Sequence, residues 1–204
     1  YVQDSTRGST KQIYTNLTSA EFNETTAVTS FDSDGFTMGS YNGINNSGET
    51  YVAWCWKANG GTTSSNTDGT NTSTVQANTK AGFSIVSYTG TGNANMSYGH
   101  GLSTTPNLMI IKSLNTGEWC AFGPPIFERM NLNDNAADQN NFGVTATSTT
   151  IETTQSASQV GNVAWNGSGV NYISYCFASV AGYSSIGSYI GNGTQNGPIV
   201  ITGF

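Results

Sequence analysis

Charge is scarce in this chain of 204 residues: six Lys plus Arg, twelve Asp plus Glu and one histidine give a net charge of −6, and only 9% of residues are charged. So few cations exclude the basic footprint that displaces counterions from nucleic acid, and leave little to attract an anionic membrane surface. Apolar runs are short as well. None approaches the roughly 18 residues a spanning helix needs, so no membrane insertion is predicted. Histidine-dependent nucleophilic catalysis has one candidate base, His100, inside a GHGL turn with no GxSxG-type motif, and a turn role is expected for it. The three cysteines, Cys55, Cys120 and Cys176, have no metal-ligand spacing and read as buried thiols filling small apolar places. Sustained i, i+3, i+4, i+7 apolar spacing is missing, which argues against long helices. With neither an initiating methionine nor a signal peptide, the sequence reads as a processed product or a piece of something longer.

What is present is Ser, Thr, Asn and Gly at most polar positions, with aromatics at 11%. Small polar residues hydrogen-bond back to the backbone and glycine costs entropy in a helix, so the composition favours turns and strands. The predicted fold is all-β: antiparallel β-sandwich or jelly-roll-like modules in tandem. The chain is organised around residues 82–112, a strand (GFSIVSYTGTG), a polar link, GHGL and a second strand (PNLMIIK). Alternation in the first strand gives two faces, and the unbroken run in the second suits a strand covered on both sides.

Two stretches occur twice. GYSSIGSYIGNG (182–193) repeats GFSIVSYTGTG (82–92) with one inserted residue, so that Ile85, Ser87 and Tyr88 match Ile186, Ser188 and Tyr189. NGSGVNYISYCFAS (166–179) repeats NNSGETYVAWCWKA (45–58) at a constant offset of 121 (172 − 51). Val52, Trp54 and Trp56 become Ile173, Tyr175 and Phe177, so the bulky face stays bulky. That is the mark of a packing constraint. Residues 51–57 are therefore expected to be the strongest single strand, with Trp54 and Trp56 in a core stripe and a sugar-stacking platform the lesser reading.

These repeats suggest a division: 1–58 as the C-terminal part of a first module, 59–81 as a Gly/Ser/Thr/Asn-rich surface connection with a strand at 74–77, 82–181 as a second module, and 182–204 as the start of a further repeat or an exchanged end strand. Further strands are expected at 13–17, 28–31, 117–125, 147–153, 159–165 and 199–202. Residues 127–141 read as a long variable loop. No catalytic residue or cofactor is predicted. Asp32 and Asp34, in the turn SFDSDGFTMGS, are the weak candidates for a cation, because two carboxylates alone make no calcium cage. Trp119, Trp165 and Tyr98 are the weak candidates for stacking on a sugar.

The motifs TSFDSDGFTMGS, YVAWCWKANGGTTSSNTDGT, AGFSIVSYTGTG, GHGLSTTPNLMIIK and YISYCFASVAGYSSIGSYIGNGTQNGPIVITGF resemble a repeated β domain of tail-fibre-like structural proteins of marine bacteriophages, over nearly the whole chain. Such modules often follow a LamG/concanavalin-like jelly roll. The resemblance implies a non-enzymatic structural or adhesion component of the virion. Its partners would be copies of itself in a homo-oligomer, other virion proteins and a host-surface glycan. A carbohydrate-binding module is the alternative. A polysaccharide depolymerase, which needs two carboxylates facing each other in a cleft, comes third.

Overall fold

The structure, a computed structural model, describes residues 1–115, 117–123, 128–133, 143–153 and 164–203. Its elements are β1 (Val2–Asp4), β2 (Gly8–Ile13), β3 (Phe22–Asn23), β4 (Val28–Phe31), β5 (Phe36–Met38), a single helical turn α1 (Asn42–Asn45), β6 (Ser64–Asn66), β7 (Ser73–Asn78), β8 (Phe83–Thr89), β9 (Met96–Gly99), β10 (Leu108–Ser113), β11 (Trp119–Gly123), β12 (Glu128–Asn131), β13 (Val144–Ala146), β14 (Thr150–Thr153) and β15 (Asn171–Phe177). The fold is all-β, with antiparallel pairing between the strands of each sheet, in keeping with a sandwich.

A seven-stranded sheet, in the order β12-β11-β10-β15-β8-β7-β6, carries the core. Period-2 alternation gives this sheet two buried faces. Val86, Tyr88, Met109, Ile111, Phe122 and Tyr172 point to one side and meet Met96, Tyr98, Val144 and Ile151 of the three-stranded sheet β13-β14-β9. Tyr88 stacks there between Tyr98 and Tyr172, with ring centroids 4.0 and 5.1 Å away. Phe83, Ile85, Trp119, Ile173 and Tyr175 point to the other side and meet Ile13 and Val2 of the sheet β1-β2-β3. Each such aromatic or branched side chain contributes about 2–3 kcal/mol by leaving water.

Residues 1–23 are fastened to the central sheet by polar contacts. Arg7 is sandwiched between Asp4 (Nε–Oδ2 2.6 Å) and Glu21 (Nη1–Oε2 2.9 Å), with its side chain 4% exposed. The Tyr175 hydroxyl on β15 donates to the same Asp4 oxygen at 2.7 Å. Trp119 Nε1 donates to the Tyr14 carbonyl at 2.7 Å, and Lys112 Nζ to the Ser19 carbonyl at 3.1 Å. Burial lowers the Lys112 ammonium to about 8, against the pull of Glu118 and Cys120.

Several expectations are corrected. Residues 51–57 form no strand, and Val52, Trp54 and Trp56 are 77%, 79% and 57% exposed instead of lying in a core stripe. The core stripe is formed by their counterparts on β15. Cys55 is exposed, whereas Cys120 and Cys176 are buried, and none of the three forms a disulfide. Residues 59–81 supply β6 and β7 to the central sheet, of which only the strand at 74–77 was foreseen. Residues 1–23 cover the central sheet, whereas the sequence grouped them with a preceding module. Residues 199–202 form no strand. Of the expected loop at 127–141 only 128–133 are described, and they hold β12; of the expected strand at 159–165, residues 159–163 lie outside the described residues.

Candidate functional site

The two repeated stretches are the strands that pair at the middle of the sheet. β8 and β15 run antiparallel with Tyr88 opposite Tyr172, Ser87 opposite Ile173 and Ile85 opposite Tyr175. Beyond the strands the pairing continues into the glycine turn. Gly90 and Gly92 donate to the Val170 and Asn166 carbonyls at 2.8 and 3.0 Å, and the Asn166 side chain accepts from the Thr91 N–H at 2.8 Å. A Cβ on Gly90 would strike the Gly167 carbonyl oxygen. This glycine is required by the close approach of two backbones.

The outer copies keep the local geometry of these strands without the pairing. Asn46 N–H donates to the Tyr51 hydroxyl at 3.1 Å, as Gly167 N–H does to the Tyr172 hydroxyl at 2.7 Å. Gly193 has φ +66° where Gly92 has +71°, and Gly48 has +83° where Gly169 has +72°. Asn192 Oδ1 takes the Thr194 N–H at 3.1 Å, as Thr91 Oγ1 takes that of Asn93 at 3.2 Å. Yet Tyr189 and Ile190 are 69% and 90% exposed, and a Cβ on Gly191 would meet nothing within 4 Å among the described residues.

The roots of the two outer copies flank one cavity of about 580 Å³ at the end of the central sheet. Trp56 and Lys57 of one copy and Tyr183 and Ile186 of the other line it together with Phe83 and Phe177. Trp56 packs edge-on against Phe177, centroids 6.0 Å apart. The Asn78 amide holds the Lys57 carbonyl at 3.0 Å, and the Ser179 hydroxyl takes the Ile186 N–H at 3.0 Å. The lining is largely apolar, and Trp56 and Tyr183 at its rim are 57% and 62% exposed.

The candidates read from sequence lie elsewhere. Trp119, Trp165 and Tyr98 are all buried, so no sugar ring can stack on them, which removes the basis on which they were chosen. Trp165 packs edge-on to Phe122, and the Tyr98 hydroxyl donates to Ser174 Oγ at 3.3 Å, with its ionisation pushed far up by burial. Asp32 accepts from Ser30 Oγ and Thr37 Oγ1 at 2.9 and 2.8 Å inside the exposed β4–β5 turn. Asp34 shares that turn, and no cluster of three or more His, Cys, Asp or Glu stands around either among the described residues. His100 is buried, its Nδ1 accepting from the Leu102 N–H at 3.1 Å and its Nε2 against the Thr147 carbonyl at 3.3 Å, so the ring is a turn brace. Burial holds its pKa below 6.5. The Arg7–Asp4–Tyr175 cluster was missed. Its members lie 171 positions apart at the extremes, and no local pattern joins them.

The family described as Domain of unknown function (DUF7483) matches residues 1–204. The chain belongs to that family. No curated protein and no solved structure matches the chain. No helix among the described residues is long and apolar enough to cross a membrane.

Proposed function

We propose that the chain is a non-enzymatic structural and adhesion component of a bacteriophage appendage such as a tail fibre, working in the virion with copies of itself and other virion proteins. The observation that carries this reading is the double occurrence of the central strand pair. Besides the paired β8 and β15, the chain holds a second copy of each, at 182–193 and at 45–57. Construction by repetition gives length and rigidity and asks for no reactive group. The wording of the motifs supplies the phage assignment. The test is immunogold labelling and mass spectrometry of purified particles encoded by a genome that carries the chain. Label on an appendage is expected, and particles free of the chain would overturn the reading.

A second reading, carbohydrate binding, is favoured by the exposure of Trp54 and Trp56, at 79% and 57%. Tryptophan faces in this setting stack on sugar rings. A glycan array separates the two: retention of a host-surface glycan that is lost in Trp54→Ala supports binding through this platform, and retention that survives the substitution argues against it.

A further inference from the structure

We infer that residues 45–57 of one copy pair with residues 187–203 of a second copy of this chain, forming between subunits the strand pair that β15 and β8 form within each. The claim holds whichever particle carries the chain. Four observations converge on it.

The first is sequence equivalence. Residues 51–56 are a copy of β15 and residues 183–190 a copy of β8, so the register inside the module carries over residue by residue. It places Tyr51 opposite Tyr189, Val52 opposite Ser188 and Ala53 opposite Gly187. The second is preset geometry. Both outer copies already hold the turn bonds and positive-φ glycines of the strands they repeat, as if only the partner were lacking. The third is Gly191. Its equivalent, Gly90, has to be glycine because the backbone of residue 167 touches it, and residue 167 corresponds to Asn46. Within one copy nothing approaches Gly191 among the described residues, and a second copy's Asn46 carbonyl supplies the missing contact.

The fourth observation is a second strand pairing at the same place. In the finished module β9 adds to β14 of the β13–β14 hairpin. The β4–β5 hairpin precedes residues 51–57 as β13–β14 precedes β15; Val28-Thr29 opens one and Val144-Thr145 the other. Its β5 edge is open, with Met38 exposed, and the apolar residues Ile199, Val200 and Ile201 follow the β8 copy as β9 follows β8. One copy thus offers a hairpin and a strand; the other offers two strands that fit them.

A second copy carries the complementary repeat of each tip, and within one copy the tips form no strand pair among the described residues although their roots line one cavity. Trp56 is held there by Phe177 and Ile186 by Ser179, both on the same module. Main-chain hydrogen bonding to a second copy would turn these exposed segments into strands.

The test uses disulfide trapping in a Cys55→Ser background, which removes the exposed native thiol. Chains carrying Val52→Cys are mixed with chains carrying Ser188→Cys under mild oxidation. Directly opposed strand residues lie within the Cα separation a disulfide accepts. A disulfide-linked heterodimer is expected, in excess over a control pairing of Val52→Cys with Ser33→Cys. A link that forms only inside one doubly substituted chain overturns the second-copy assignment, and no link in either format overturns the pairing. Light scattering on Gly191→Val gives an independent readout. The dilute chain should unfold at an unchanged midpoint while the associated species is lost; association that survives the substitution overturns the register.

Discussion

Arg7 decides whether two carboxylates are tolerated inside the molecule. Asp4 and Glu21 both lean on its guanidinium, and the Tyr175 hydroxyl completes the Asp4 shell. Arg7→Met leaves the buried Asp4 without its cation and Glu21 with only Lys11 Nζ at 3.7 Å, and should cost about 3–5 kcal/mol in urea unfolding. Tyr175→Phe removes the short hydrogen bond to Asp4 and the long one, 3.4 Å, from Arg7 Nη2, and should cost less, about 1.5–3 kcal/mol. His100 gives a pH signature. Burial depresses its pKa below the ordinary 6.5, so the folded chain keeps the ring neutral where the unfolded chain takes up a proton. Its contribution is complete above pH 6.5 and falls away as pH drops below that value towards the depressed one. His100→Asn should flatten the dependence of the unfolding free energy on pH below 6.5, measured by denaturant titration at a series of pH values.

Two strands of nearly the same wording end in different states, and that contrast sets the predictions for elements. Ile173 on β15 is fully buried, and Ile173→Ala should cost about 2–5 kcal/mol. Val52, its counterpart, is exposed, and Val52→Ala in the dilute chain should stay within about 0.5 kcal/mol. Gly90→Ala drives a methyl into the Gly167 carbonyl and should cost about 1–3 kcal/mol, whereas Gly191→Ala in the dilute chain should be close to neutral. Chemical denaturation of the four variants at low concentration checks the set. The same contrast marks what the sequence could convey. Alternation, glycine turns and the 121-residue offset revealed which residues make strands and which faces are bulky, and β8, β10 and β15 lie where those patterns put them. Pattern alone says what a segment is able to become; it does not say whether a partner is at hand. So Tyr51–Trp56 and its copy on β15 read alike, although one is solvent-exposed and the other central. β6 was hidden for the opposite reason, since Ser64–Asn66 is small and polar and gains its place from β7, the strand that was expected at 74–77. The exposed site escaped notice because its residues looked like core.

For the whole molecule, stability should depend on concentration. If a second copy binds only the folded chain, mass action raises the thermal midpoint as protein is added, by about 2–4 °C for each kcal/mol of association at this size. Differential scanning calorimetry across a dilution series would show it, and Trp54→Asp should abolish the dependence while leaving the dilute midpoint in place.

The repeats also fix the route that tension would take. A pull between a strand bound at residues 51–57 and one bound at residues 187–203 enters the central sheet at β6 and leaves it at β15, so the ladder β6-β7-β8-β15 bears the load. Residues 1–23, with their Asp4–Arg7–Tyr175 contacts, precede the pulled segment and lie off that route. An optical-trap pull on linked copies should find Gly90→Ala, at the end of the β8–β15 pair, yielding at a lower force than the parent chain.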